Sequence, residues 1–105
     1  MLQVQTGPGI ADWSGRCYVD SSGCVTDGGG NYGNDEQCTI RVLSSGTLTA
    51  TQFDTENRYD AITIGGTSYS GTAGPVGVAV AAGSYFTWRS DGSVTRAGWT
   101  ICLSE

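Results

Sequence analysis

A chain of 105 residues has room for one domain with a modest core and not for two. Its formal charge of −5, with five arginines as the only basic side chains, argues against a nucleic-acid backbone as partner and suits a cation or a basic surface. Seventeen glycines and only 14% charged residues point to many turns between short strands, and no window sustains a helical period.

The start, Met1 to Thr6, lacks the basic region and apolar run of a signal peptide, and no stretch approaches the roughly 20 apolar residues of a membrane span. The chain therefore reads as a recombinant or mature fragment of a secreted protein, with Met1 an added start. Residues 1–15 hold Gly7-Pro8-Gly9 and few apolar anchors beyond Trp13. They read as a leader that covers a sheet edge or moves freely, ahead of one domain over 16–105.

In chain order, Arg16 to Val19 and Cys24 to Thr26 are short strand candidates around the turn Asp20-Ser21-Ser22-Gly23. Asp27 to Glu36, with three successive glycines, is a loop. Cys38 to Leu43 alternates with Ile40 and Val42 on one face; Ser44-Ser45-Gly46 then turns the chain back along Thr47 to Phe53, with Leu48 and Ala50 inward, which predicts a hairpin. After an acidic segment, Ile62 and Ile64 form the next inward pair, Gly65-Gly66 turns, and Thr67 to Ser70 is a short edge strand. Val76 to Val80, Tyr85 to Trp88 with Phe86 and Trp88 inward, and the last strand with Trp99 and Ile101 inward complete about nine strands. Turns at this spacing are the signature of an all-β fold, an antiparallel β-sandwich of two sheets, jelly-roll-like.

Four cysteines in such a chain fit two disulfides and an oxidising compartment. Four free thiols are the alternative reading. Zinc is disfavoured because no C-x2-C pair and no His is present.

The segment Phe53 to Asp60 ends one strand and starts the next, and it places three acids within eight residues. Glu56 and Asp60 stand at facing strand ends, and Asp91 follows a third alternating run. Carboxylates that converge repel one another unless a cation or protons sit between them, so three strand ends brought together would make an oxygen cage for a hard cation, above all Ca2+. The simpler reading is solvated acids at turns, and Arg58 could neutralise Glu56 and Asp60 without a metal.

The order Phe53-x-x-Glu56, Tyr59-Asp60, Ser90-Asp91-x-Ser93 and Gly98-Trp99 resembles the calcium-binding subset of CUB domains. Cys38-x-Ile40-x-Val42 resembles the family's strand start, and Tyr32, six residues earlier, matches the tyrosine that orients the glutamate. The resemblance covers roughly residues 16 to 103. It implies a β-sandwich that holds one Ca2+ through Glu56, Asp60 and Asp91, with carbonyls near Ser93 and Val94 and water completing the shell. It also implies that a partner protein's Lys or Arg pairs with the acidic ligands. Two of the family's usual later cysteines are missing, with Arg58 and Ser70 near their places, as is the family's Ser-Pro-Asn-Tyr-Pro run in the loop around Tyr32.

Strand direction then places Cys38 at the acidic end and Cys24 with Cys102 at the opposite one. The expected pairs are Cys17 with Cys38, whose 21-residue span is similar to the family's first disulfide, and Cys24 with Cys102.

With no His or Lys and no Ser-His or Cys-His set, catalysis finds little support, and a non-enzymatic extracellular module binding calcium and a protein partner is expected. A carbohydrate-binding or adhesive module, with Tyr18, Tyr69 and Tyr85 as an aromatic platform, and a structural unit of a larger protein are the alternatives. Thr47, Thr49 and Thr51 read as the solvated face of a half-buried strand.

Overall fold

The computed structural model describes residues 1–5, 17–27, 31–92 and 95–105. They form ten strands: β1 (Leu2–Gln5), β2 (Tyr18–Val19), β3 (Val25–Thr26), β4 (Gln37–Val42), β5 (Gly46–Asp54), β6 (Ala61–Ile64), β7 (Thr67–Tyr69), β8 (Val78–Val80), β9 (Tyr85–Arg89) and β10 (Gly98–Ser104). Two five-stranded sheets of order β1-β4-β9-β6-β7 and β2-β3-β10-β5-β8 pack together, every neighbouring pair antiparallel. The expected β-sandwich is therefore the fold.

Period-2 alternation builds the core. Ile40 and Val42 from β4, Ile62 and Ile64 from β6, and Phe86 and Trp88 from β9 meet Val25, Leu48, Trp99 and Ile101 from the facing sheet. The rings of Trp88 and Trp99 lie 5.7 Å apart across the two sheets, and Tyr32 meets Trp88 edge-on at 4.8 Å. Buried aromatic pairs of this geometry contribute about 0.5–1.5 kcal/mol beyond their area.

The hairpin expected over 38–53 does not form. Both edges of β4 are already taken, by β1 on one side and β9 on the other, so Leu43-Ser44-Ser45 carries the chain across to the other sheet. A crossing between sheets leaves the same inward alternation as a hairpin within one, so the pattern does not distinguish them. Gly46 is needed at the landing, because a Cβ there would come within 2.3 Å of the Ser104 carbonyl oxygen. The tight turn between β6 and β7 is as expected, with Gly65 and Gly66 both at positive φ (57° and 84°), the primed geometry of a two-residue hairpin loop.

Residues 2–5, within the stretch taken as leader, are the edge strand β1, whose Leu2 is buried in the core. The remainder of that stretch, 6–16 with Trp13, lies outside the described residues. The three tyrosines form no common platform: Tyr18 stands in one sheet, Tyr85 in the other, and Tyr69 packs against the core.

Both disulfides connect the expected cysteines. Cys17–Cys38 ties the entry to β2 to the inward face of β4 and so joins the two sheets, while Cys24–Cys102 clips the start of β3 to β10. Two disulfides fit an oxidising environment. Among the described residues, no helix is long and apolar enough to cross a membrane.

The bonds close loops of different length, with sequence separations of 21 and 78. The chain-entropy model assigns about 3.3 kcal/mol to the shorter loop and about 4.5 kcal/mol to the longer. Denaturant titration of the paired Cys→Ala variants should therefore show a larger loss for C24A/C102A than for C17A/C38A; the reverse order would show that native packing around Cys17–Cys38 outweighs loop length.

Candidate metal centre

One end of the sandwich gathers the acids. The chain leaves β5 at Asp54 and enters β6 at Ala61, and β9 ends at Arg89, so the 55–60 loop and Asp91 emerge side by side. Glu56, Asp60 and Asp91 each bring a carboxylate oxygen within 4.8 Å of the others. These are the three residues expected to converge, and the cluster could hold a metal ion.

Asp60 is the fixed point. It is fully buried, and each carboxylate oxygen accepts a hydrogen bond: Oδ2 from the Tyr32 hydroxyl at 2.5 Å and Oδ1 from the Asp91 N–H at 2.8 Å. Its carbonyl accepts from Thr55 Oγ1, and its N–H donates to the Glu56 carbonyl, which closes the loop on itself. Buried anions need such donors, since an unpaired one costs several kcal/mol.

Tyr32 joins the two acids of that loop. Its hydroxyl donates to Asp60 and accepts the backbone N–H of Glu56 at 3.0 Å, so it sets the backbone at the glutamate as well as the aspartate's carboxylate. Burial, reinforced by the bond to Asp60, pushes the phenol far above its ordinary value, and it therefore remains a donor at any physiological pH.

Glu56 is different. Its Oε1 is shut off from solvent and has no hydrogen-bond partner among the described residues. Desolvation first, then the charges of Asp91 and Asp60, raise its carboxyl above the ordinary range; Asp60 is raised as well, again chiefly by burial. Arg58 does not relieve this. Its backbone, at φ 75°, is held by Ser70 Oγ at 3.0 Å, and its exposed side chain forms no ion pair with Glu56 or Asp60. Asp54 is half-buried and pairs with Arg96 at 3.1 Å. Ser93 and Val94 lie outside the described residues.

Sequence reasoning missed Glu36. It is 4% exposed, and its two oxygens accept from the Trp88 indole Nε1 at 3.1 Å and the Gly33 N–H at 2.7 Å. Ser90 Oγ takes the Glu36 N–H and donates to the Gly33 carbonyl, while the Asp35 N–H donates to the Asp91 carbonyl. These bonds hold the Tyr32 loop against the Asp91 turn. The need of a buried indole N–H for an acceptor was the one available signal, but it does not say which acid supplies it. Beside the cage opens a polar groove of about 640 Å³, lined by Asp54, Glu56, Asn57, Ser70, Thr72 and Arg96 among others.

No known protein family, curated protein or solved structure matches the chain.

Two measurements test that geometry. Replacing Tyr32 by Phe strands a buried carboxylate oxygen and a backbone N–H, and should cost about 1–3 kcal/mol by denaturant titration; a neutral effect would mean the hydroxyl does not carry the loop. Because the Glu56 and Asp60 carboxyls are raised in the folded state, the folded protein binds more protons than the unfolded chain just above the ordinary carboxylate range, and stability falls as pH rises through that window. In EDTA, E56Q should thus melt higher than the wild type at pH 7, with the gap closing as pH is lowered toward about 4. A constant gap would remove carboxylate repulsion as its cause.

Proposed function

We propose that this protein is a secreted, non-catalytic binding module in which one Ca2+, held by Glu56, Asp60 and Asp91, orders the acidic loops as a docking surface for a partner protein. The observation that carries the reading is Glu56, which has one oxygen, Oε1, buried without a hydrogen-bond partner and which brings a carboxylate oxygen within 4.8 Å of those of Asp60 and Asp91. A cation supplies what protein donors do not.

Ligand type and number support Ca2+ as the metal. Oxygens that all lie within 4.8 Å of one another are close enough to share one ion, and Ca2+, which takes six to eight oxygen ligands in flexible geometry, suits such a cluster better than Mg2+, which keeps several of its waters. All-oxygen ligands without His or Cys also favour a hard cation over zinc. The remaining positions of a six- to eight-coordinate ion fall to carbonyls near Ser93 and Val94 and to water. The motif order that resembles calcium-binding CUB domains supports the same assignment, as does the Tyr32 contact with the Glu56 backbone. On that resemblance, a partner's Lys or Arg docks against the acidic ligands, and the groove beside Glu56 offers it room.

Calcium melts with magnesium as control test the proposal. For a dissociation constant of about 10⁻⁴ M, 10 mM calcium stabilises the native state by about 2.7 kcal/mol, several degrees for a domain of this size. E56Q and D91A should lose that gain, and the wild type should melt above E56Q in calcium while melting below it in EDTA. D60A is the less clean variant, because Asp60 also supports Tyr32 and the Asp91 backbone. Identical wild-type melts in calcium and EDTA would sink the calcium assignment.

A further inference from the structure

The sheet β1-β4-β9-β6-β7 has an outer face that the sandwich core leaves open. Alternation turns Thr39, Arg41, Tyr85, Thr87 and Arg89 outward, and the register sets Arg41 opposite Tyr85 and Thr39 opposite Thr87 across the β4–β9 pair. Thr63 of β6 continues the second row beside Thr87. Both guanidiniums are exposed, and among the described residues neither belongs to an ion pair. Tyr85 is 52% exposed.

The charge distribution is what singles out this face. The five strands of the sheet contain no Asp or Glu, although the whole chain carries −5. Two unneutralised cations therefore flank a row of hydroxyls. Arg89 lies four positions along β9 from Tyr85, so the backbone positions of the two arginines are about 13 Å apart along the strand direction at the rise of a β-strand.

We propose that this face binds an acidic saccharide, with Arg41 and Arg89 receiving its anionic groups and a sugar ring resting on Tyr85. A guanidinium fork matches a planar or trigonal oxyanion with two parallel hydrogen bonds. Threonine hydroxyls both donate and accept, which suits the hydroxyls of a sugar. The ring of Tyr85 gives apolar area with little conformational entropy to lose. A folded protein partner fits less well, because a protein interface needs an apolar centre and, within the five strands, Tyr85 is the only exposed large apolar side chain among the described residues, Met1 and Leu43 lying just past the ends of β1 and β4 at the sheet's edge. Carboxylate and sulfate saccharides share the required chemistry.

The test is a calorimetric titration of the full chain at low ionic strength in EDTA, so that its outcome does not depend on calcium. The probes are an oligogalacturonate, a sulfated dextran oligosaccharide, neutral dextran and poly-aspartate. One or both acidic saccharides should bind and neutral dextran should not, and the arm that binds identifies the anionic group. R41A/R89A should weaken binding at least tenfold and Y85A several-fold, with melting temperatures unchanged, whereas R58A, which removes the same charge elsewhere, should leave affinity intact. Absence of binding, unchanged affinity in R41A/R89A, an equal loss in R58A, or poly-aspartate binding as tightly as the saccharides would each overturn the proposal.

Discussion

The Tyr32 hydroxyl is where the core of this protein meets its acids. The ring is locked edge-on against Trp88, which in turn stacks on Trp99 from the opposite sheet, so the phenol cannot move without disturbing the packing that joins the two sheets. Its oxygen then ties Asp60 to the backbone of Glu56. A fully buried aspartate is tolerable only because that donor and the Asp91 N–H are both in place. The arrangement of the acidic loops thus depends on an aromatic column that reaches them through the Tyr32 hydroxyl and the Trp88 indole.

Acids at this end of the sandwich are treated in two ways. Glu36 and Asp60 have donors on both oxygens, and each ties together segments distant in sequence. Glu56 has one oxygen that is sealed from water without a donor, and its neighbours are two more carboxylates. A protein that could have solvated this glutamate instead holds it against like charge, at a cost in the stability of the metal-free fold. The proposed cation converts that repulsion into attraction.

The two binding surfaces proposed are opposite in sign and adjoin at the end of β9, where Arg89 stands two residues before Asp91. The acidic one is built from loops that several strands deliver to one end, and it needs a cation to be complete. The basic one is built on a regular sheet, where strand register alone fixes the spacing of Arg41, Tyr85 and Arg89. A site on strands is held rigidly before any ligand arrives, whereas a site on loops gains from being ordered by one.

Fold class, core residues and both disulfides were legible from the sequence, because side-chain alternation and the direction of successive strands are local properties that the chain carries with it. The convergence of Glu56, Asp60 and Asp91 was legible for a related reason: each stands at a strand end, and antiparallel strands return their ends to the same place. Three things were decided only in three dimensions. Which strands pair was one, since β4 and β5 alternate as a hairpin does yet lie in different sheets, the edges of β4 being taken by strands far away in sequence. The partner of each buried polar group was another: the hydrogen bonds of Glu36 to Trp88 and of Tyr32 to Asp60 span 52 and 28 residues. The last was the freedom of Arg58, which the sequence places between two acids and which the backbone, held at positive φ by Ser70, leaves unpaired with either. Alternation records which side a residue faces; only packing determines what it finds there.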